Sequence, residues 1–500
     1  MRGVPEGHFI AADPSAPKLI AIGLLVSLPL AAVAAMPLKG VVLVLAGICG
    51  LAGLGFLTTV TDRVIPAVLY FGLLASVSIP IDKYLFYQEH VGGWPGIRIA
   101  GADLFLFALI PIAIVGRYTG VVGRRIPALV LVIYALLMIQ YLVSSLGASF
   151  RDLAVFEVFS AAHALVLALV CAALFKREYI TPILVLLAAQ VLLHTSFATI
   201  QVATGRPIGV GLGASSADVV MEHFETGGAR LRPSGLFDHP IVFANFLMIG
   251  LPILSAGALI AKSRLLRLVM ISSTLIALMG LGLTLSRGAW VSTAVTCAVF
   301  VLLSRSKSLL TRRQLVRILL VAMIASILVG GVLGPRIIER LTASQAGNVE
   351  VRFELNRIAL RMIAAHPIAG VGLNNFIATM EAYDPDDVME YFPATVHNLY
   401  LLEASEAGLP ALFLVFSLMI ALFFTAYARL RRIEDADCSW FAIAILAGLS
   451  GFAFSQIADF SHRMEPLRSV LWVNVGLLFG ALDAARHRSS SPSERKPHVS

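Results

Sequence analysis

Apolar blocks of about 20 residues recur along almost the whole chain, and this spacing constrains its fold more than any other feature. Such a block is the length of helix that crosses a bilayer, where backbone polar groups find no water and must bond within the segment. The blocks are too long and too uniformly apolar for barrel strands, so they read as helices. About fourteen can be counted: 17–38, 40–60, 64–82, 102–116, 125–146, 154–175, 180–202, 239–261, 265–286, 288–304, 315–334, 409–428, 440–460 and 467–484. Only 14% of the 500 residues are charged, against about a quarter in a soluble domain. That excludes a soluble enzyme held by one anchor.

The short loops assign sides. With fourteen spans, the clusters Arg117/Arg124/Arg125, Lys176/Arg177, Lys262/Arg264/Arg267, Arg305/Lys307/Arg312/Arg313 and Arg429/Arg431/Arg432 fall together, with Arg486 and Arg488 in the tail. The positive-inside rule makes that side cytoplasmic. One miscounted span would divide the clusters. The expected fold is therefore an all-α polytopic membrane protein of about 14 transmembrane helices, both termini cytoplasmic, with a large outer loop between spans 11 and 12. Residues 1–334 hold helices 1–11 and an outer loop near 203–238; 335–397 form the large outer loop with amphipathic helices. Residues 398–486 hold helices 12–14, and 487–500 read as a disordered cytoplasmic tail. A smaller loop at 83–101 also faces out, and the first block reads as a retained span.

The net charge of +8 invites a nucleic-acid reading, but most Lys and Arg lie in short loops that orient a membrane protein, so no nucleic-acid partner is expected. The four cysteines (Cys49, Cys171, Cys297, Cys438) lie in or beside apolar blocks without paired spacing, and no disulfide framework or zinc site follows.

The stretch GLTLSRGAWVSTAV puts Arg287 in an otherwise uncharged run. A guanidinium at mid-bilayer costs roughly 2.5–3.5 kcal/mol on insertion scales. The topology instead places Arg287 at the outer end of a span, with Gly288 opening the return. It either snorkels to lipid headgroups or binds an anion at the outer face. The neighbouring loops favour the anion. ARLRPSGLFDHPIVFANF delivers Arg230 and Arg232 just ahead of a span, with Pro233 and Gly235 in a fixed turn and His239-Pro240 at the helix start. Arg230 and His239 could equally be ordinary interfacial residues, which is the reading favoured for Arg230.

In VRFELNRIALRMIAAHPIAGVGLNNF, residues 351–365 are helical and amphipathic. At about 100° per residue from Arg352, Leu355, Ile358, Ala359, Met362 and Ile363 share one face. Arg357 and Arg361 lie opposite, and Arg352 falls at the edge of the apolar face, aimed towards the protein. His366-Pro367 ends the helix and GVGLNN turns. In FPATVHNLYLLEASEAGLPAL, Thr395 is read as the N-cap, placing His397 in the first turn of a helix entering from outside. The positive end of the helix dipole disfavours imidazolium, which suits a general base; a hydrogen-bonded interfacial histidine is the plainer alternative. Arginine forks match phosphate oxygens, so the outer cluster suits a diphosphate on a lipid carrier.

At these residues the sequence resembles the superfamily of O-antigen ligases and O-antigen (exopolysaccharide) polymerases. The pieces are Arg232-Pro-Ser-Gly235 leading into Phe237-Asp-His-Pro240, Ser286-Arg287-Gly288, Arg352 ahead of His366-Pro367 and Gly370-Val-Gly372, and His397-Asn398, nine residues, then Gly408. The resemblance covers about residues 200 to 430. It implies metal-independent, inverting glycosyl transfer on the periplasmic face of the bacterial inner membrane, without a cofactor, from a glycan on undecaprenyl diphosphate. By analogy Arg232, Arg287 and Arg352 would hold the diphosphate and offset charge as it leaves. His397 would take the acceptor proton, and Asn398 and His239 would contact the substrate.

A polymerase adds the growing chain to the next carrier-linked repeat unit; a ligase moves the finished chain to lipid A core or another acceptor. Ala411 stands where ligases usually carry Gly, Thr or Tyr, and with fourteen spans rather than about twelve it favours the polymerase. Partners would be the lipid-linked glycan, membrane lipids, and the pathway's chain-length regulator and flippase. The rival from another class is itself a lipid-linked oligosaccharide flippase, which would start from Glu157, His163, His194 and Asp459 inside apolar blocks. Transporters usually show two related halves, and none match here. A metal could bind YDPDDVMEYF (Asp384, Asp386, Asp387, Glu390), but a solvated turn explains that stretch too, and no metal is assigned.

Overall fold

The computed structural model describes residues 64–88, 93–118, 125–208, 221–223, 229–314 and 346–489, with positions 331 and 334. The expected spans at 17–38 and 40–60, nearly all of 315–334, and the tail from 490 lie outside the described residues.

The described residues begin with α1 (Val64–Ser76), a hairpin of β1 (Asp82–Leu85) and β2 (Ile97–Ala100), and α2 (Gly101–Tyr118). Then come α3 (Ala128–Gly147), α4 (Arg151–Leu174) and α5 (Ile180–Thr204). A second hairpin, β3 (Met221–His223) with β4 (Ala229–Leu231), precedes α6 (Pro240–Ile260), α7 (Arg264–Leu283) and α8 (Arg287–Ser306). Next come α9 (Ala346–Ala365), α10 (Phe376–Met380) and α11 (Val388–Tyr391); α12 (Leu399–Leu430), α13 (Ala436–Ser455) and α14 (Leu467–Ser489) follow.

Among the described residues, nine helices are long and apolar enough to cross a membrane: α3, α4, α5 with the short turn before it, α6, α7, α8, α12, α13 and α14. Each coincides with an expected block. The block at 64–82 does not run through, because α1 stops at Ser76 and the chain turns into β1. Local chemistry sets several starts: Ser263 caps α7 by accepting from Leu266 N at 3.1 Å, Ser286 caps α8, and Asp435 caps α13 through Cys438 N.

Burial sorts the bundle into centre and rim. The spanning windows of α6, α13 and α14 are 83%, 78% and 89% buried, whereas those of α3, α7 and α12 are 28%, 33% and 33%. The rim helices show apolar flanks such as Leu268, Phe413 and Phe424, as lipid-facing helices do.

The basic loops converge on one end. Arg125 bonds the Ala172 and Phe175 carbonyls and pairs with Asp483 at 3.3 Å; Arg429 donates to the Arg125 carbonyl. Lys307 donates to the Arg431 and Ile433 carbonyls, and Arg177 pairs with Asp435 and Asp437. At the opposite end a second small core forms under α9, where Leu355, Ile358, Ala359 and Met362 pack on Phe376, Met380, Val388, Val396 and Leu402. The amphipathic reading of 351–365 holds; the helix starts earlier, at Ala346.

Candidate active site

Four separated segments build the site at the loop-bearing end. The first is the turn Arg232–Gly235 after β4. Buried Gln201 clamps it, accepting from Ser234 N and Gly235 N at 3.0 and 3.1 Å and donating to the Gly235 carbonyl at 2.6 Å. Gly235 has φ +64°, and a Cβ there would lie 2.8 Å from the His194 carbonyl, so the position favours glycine. The clamp fixes where Arg232 leaves the backbone. Its guanidinium then donates through Nε and Nη2 to the Thr284 carbonyl at 3.4 and 3.3 Å.

Thr284 belongs to the second segment, the return from α7 into α8. Leu285 is held at φ +52°, Ser286 caps α8, and Arg287 is the exposed first residue of that helix. A cation at the positive end of a helix dipole is electrostatically unfavourable, so Arg287 and the helix end together attract negative charge.

The third segment is α9, with Arg352 exposed near its start. Arg357 pairs outward with Glu354 at 2.6 Å, and Arg361 donates to the Tyr383 carbonyl at 3.2 Å. Arg352 instead lies within electrostatic reach of His239, His397 and Asp459. Arg361, expected opposite the apolar face, is thus also bound to the protein, and Arg352 differs from it in facing the two histidines.

His397 is on the fourth segment, leading into α12. Here the sequence reading needs correction. Thr395 does not cap the helix; Asn398 does, accepting from Tyr400 N and Leu401 N at 3.0 and 3.1 Å. His397 thus precedes the helix, held by an extended Asn398 with φ −155°, and Asn398 is occupied with capping. The Leu399 amide is bound by the Gln456 and Asp459 carbonyls, which pins this corner to the end of α13.

The His397 ring packs edge-on against Phe460 (centroids 5.4 Å, 89°) and its Nδ1 is buried without a hydrogen-bond partner. Burial, with the Arg352 charge nearby, lowers its pKa to about 4. The imidazole is therefore neutral at pH 7, and burial, more than the helix dipole, is the cause. His239 accepts from Ile241 N at 3.1 Å as the N-cap of α6, and Arg232, Arg352 and His397 all lie within its electrostatic reach. The structure thus gathers Arg232, His239, Arg352 and His397, ties Arg287 to them through the turn at Thr284, and adds Asp459, which bonds Asn245 at 3.1 Å.

Behind the site, the GVGLNN turn is stitched to a break in α12. Gly408 departs from helical geometry (φ 82°, ψ 169°), and carbonyls released there accept from loop amides: Val371 N to Ser405 at 2.9 Å, Gly372 N to Glu406 at 3.0 Å. Gln140 closes the Ile368 and Ala407 carbonyls at 2.8 Å each. Cβ atoms on Gly370 and Gly408 would lie 2.2 Å from the Glu406 carbonyl oxygen and 2.1 Å from the Ile368 one, so the two backbones touch. The Glu406 carboxylate accepts from Asn374 N, Phe376 N and Arg463 Nη1 at 2.9, 3.0 and 3.0 Å.

Three polar residues named in the transporter reading have protein partners: Glu157 with Arg468 at 2.7 Å, His163 with Asp103 at 2.6 Å, and Asp459 with Asn245. His194 stacks on Phe237 at 4.3 Å. In the acidic stretch, Asp384 accepts from Met389 N at 2.7 Å and Asp386 lies 3.9 Å from Arg361. Among the described residues no group of three His, Cys, Asp or Glu converges in a metal-binding set.

An apolar helical bundle carrying such a site is a multi-pass membrane protein. Residues 272–416 match the family model described as O-antigen ligase. The match spans Arg287, Arg352, His397, Asn398 and Gly408, leaves Arg232 and His239 outside, and supports the O-antigen ligase and polymerase superfamily. That family points to a glycosyltransferase-like, multi-pass inner-membrane enzyme acting on lipid-linked glycans. No curated protein matches the sequence.

Proposed function

We propose that the chain polymerises undecaprenyl-diphosphate-linked repeat units into a surface polysaccharide at the periplasmic face. The observation that carries this reading is a half-buried, neutral histidine within electrostatic reach of Arg352, on segments the family match spans. An acceptor hydroxyl gives its proton to His397 as its oxygen bonds to the anomeric carbon. The bond from that carbon to the diphosphate oxygen breaks from the opposite face, inverting the centre. Undecaprenyl diphosphate leaves with its charge offset by Arg232, Arg287 and Arg352, and the proton passes from His397 to solvent. No metal or cofactor takes part in these steps.

The ligase reading shares every step and differs only in the acceptor; the family description favours it, whereas Ala411 in the buried wall of α12 favours the polymerase. Mass spectrometry of undecaprenyl-linked glycans in a strain lacking the gene separates them. Single repeat units on the carrier, with polymer lost, support the polymerase; long chains stranded on the carrier support the ligase. Full rescue by His397→Ala overturns the mechanism. Accumulation on the cytoplasmic leaflet overturns both readings in favour of a flippase.

A further inference from the structure

A cavity of about 370 Å³ lies between α3, α4, α12, α13 and α14, within the usual range of about 300–1,000 Å³ for small-molecule sites. Leu418, Phe423, Leu446 and Trp472 line most of it. It runs from Leu399 and Arg468, near the loop-bearing end, to Phe424 and Leu478 deeper in the bundle. Ile420 and Phe424 line it and are also 56% and 61% exposed, so among the described residues it reaches the exposed flank of α12.

Its loop-side end is polar, formed by Tyr141, Glu157, Glu403, His462 and Arg468. The donors there are already used. Arg468 donates to the His462 carbonyl, Ser160 Oγ and Glu157 Oε1 at 3.0, 2.7 and 2.7 Å. Arg463 behind it serves Glu403 and Glu406, and the Tyr141 hydroxyl donates to Glu403 at 2.8 Å. Two buried polar atoms are left without partners: Glu157 Oε2, on a side chain only 2% exposed, and His462 Nδ1. Burial and the two arginines hold His462 neutral. Buried polar atoms without partners are costly, and both residues line the cavity.

We infer that this cavity binds a single-chain lipid alcohol, its hydroxyl donating to Glu157 Oε2 or hydrogen-bonded to His462 Nδ1 and its chain lying along Phe423 and Trp472. Three carboxyl groups against two fully engaged guanidiniums make the polar end unsuited to a phosphate head, unlike the arginine set around His397. The inference does not depend on the glycan-transfer reading.

The test uses the full-length protein in lipid nanodiscs with hexadecanol brominated in mid-chain, which quenches tryptophan emission on contact. Saturable quenching is expected, lost in Trp472→Phe and at least tenfold weaker in Glu157→Gln and in the cavity-filling Ala453→Phe. Brominated hexadecyl phosphate is expected to bind wild type at least tenfold more weakly. Equal binding of the phosphate overturns the inference, as does quenching that is unsaturable or unchanged in Ala453→Phe. Absence of quenching overturns it too, and points to a segment of the chain itself filling the space. Should Glu157→Gln fail to fold, because Arg468 loses its partner, Ala453→Phe decides alone.

Discussion

Arg232 and Thr284 are joined by a fork, the arginine Nε and Nη2 both donating to one backbone carbonyl at 3.4 and 3.3 Å. The contact couples the loop after β4 to the turn that presents Arg287. A lysine keeps the charge but offers no fork, so Arg232→Lys releases both. Loss of one preorganised charge-stabilising group costs about 10²–10³ in rate. Arg232→Lys is expected to fall in that range in a reconstituted glycan-transfer assay with the fold intact by thermal unfolding; near wild-type turnover would show that the fork does not matter.

His397 gives a pH prediction. Burial and Arg352 favour its neutral form, with a pKa of about 4 against 6.5 in the unfolded chain. Between those values the unfolded state binds a proton the folded state refuses, so stability from this group is present above 6.5 and lost as pH falls towards 4. If His397 is the base, the acid limb of kcat/KM lies near 4 instead of near 6.5. Arg352→Gln removes a neighbouring charge and should move that limb upward. A limb that stays put in Arg352→Gln would uncouple the two residues.

Arg463, its side chain 7% exposed, holds Glu403 at 2.8 Å and Glu406 at 3.0 Å. Removing one member of a buried ion pair typically costs about 3–5 kcal/mol, because the partner charge stays buried. Arg463→Met should lower thermal stability by that order, and adding Glu403→Gln with Glu406→Gln should recover part of it. No recovery in the triple variant would mean the arginine acts through packing alone.

Gly408→Ala meets both an unfavourable backbone conformation and the Ile368 carbonyl. Strained backbone alone costs about 1–3 kcal/mol. The variant should lose thermal stability by at least that much, with increased proteolysis of the loop at 366–375. An unchanged melting profile would show that the break can move along α12.

The nine described helices long and apolar enough to cross a membrane, the apolar face of α9 and the outward Arg357 were legible because each depends on local periodicity. Arg232, Arg287 and Arg352 stand out as charges beside apolar blocks and His397 as a titratable side chain ahead of one, while their roles in transfer belong to the proposed function. The cap of α12 was not legible. Thr395 and Asn398 are both capable caps three residues apart, and only the chain path selects Asn398. Gln201, Asn374 and Arg463 were missed since their contacts are distant in sequence, as with Glu157 and Arg468, 311 residues apart. One signal was available: Glu403 and Glu406 stand on the same helical face just before an apolar run, and such carboxylates demand buried partners.

The break at Gly408 also bears on how the protein is made. From Leu409 to Leu430 the lower part of α12 is apolar and, at about 1.5 Å per residue, roughly 33 Å long, enough alone to span a bilayer of about 30 Å. The ribosome therefore delivers a complete membrane anchor without the charged turn that precedes it. Glu403 and Glu406 need not pass through lipid unpaired; they can be drawn into place afterwards, when α14 brings up its end of the chain with Arg463 and the loop amides close on the open carbonyls. Biogenesis of this corner is then a late step of assembly, and a chain truncated before Arg463 would insert its helices yet leave that joint unmade.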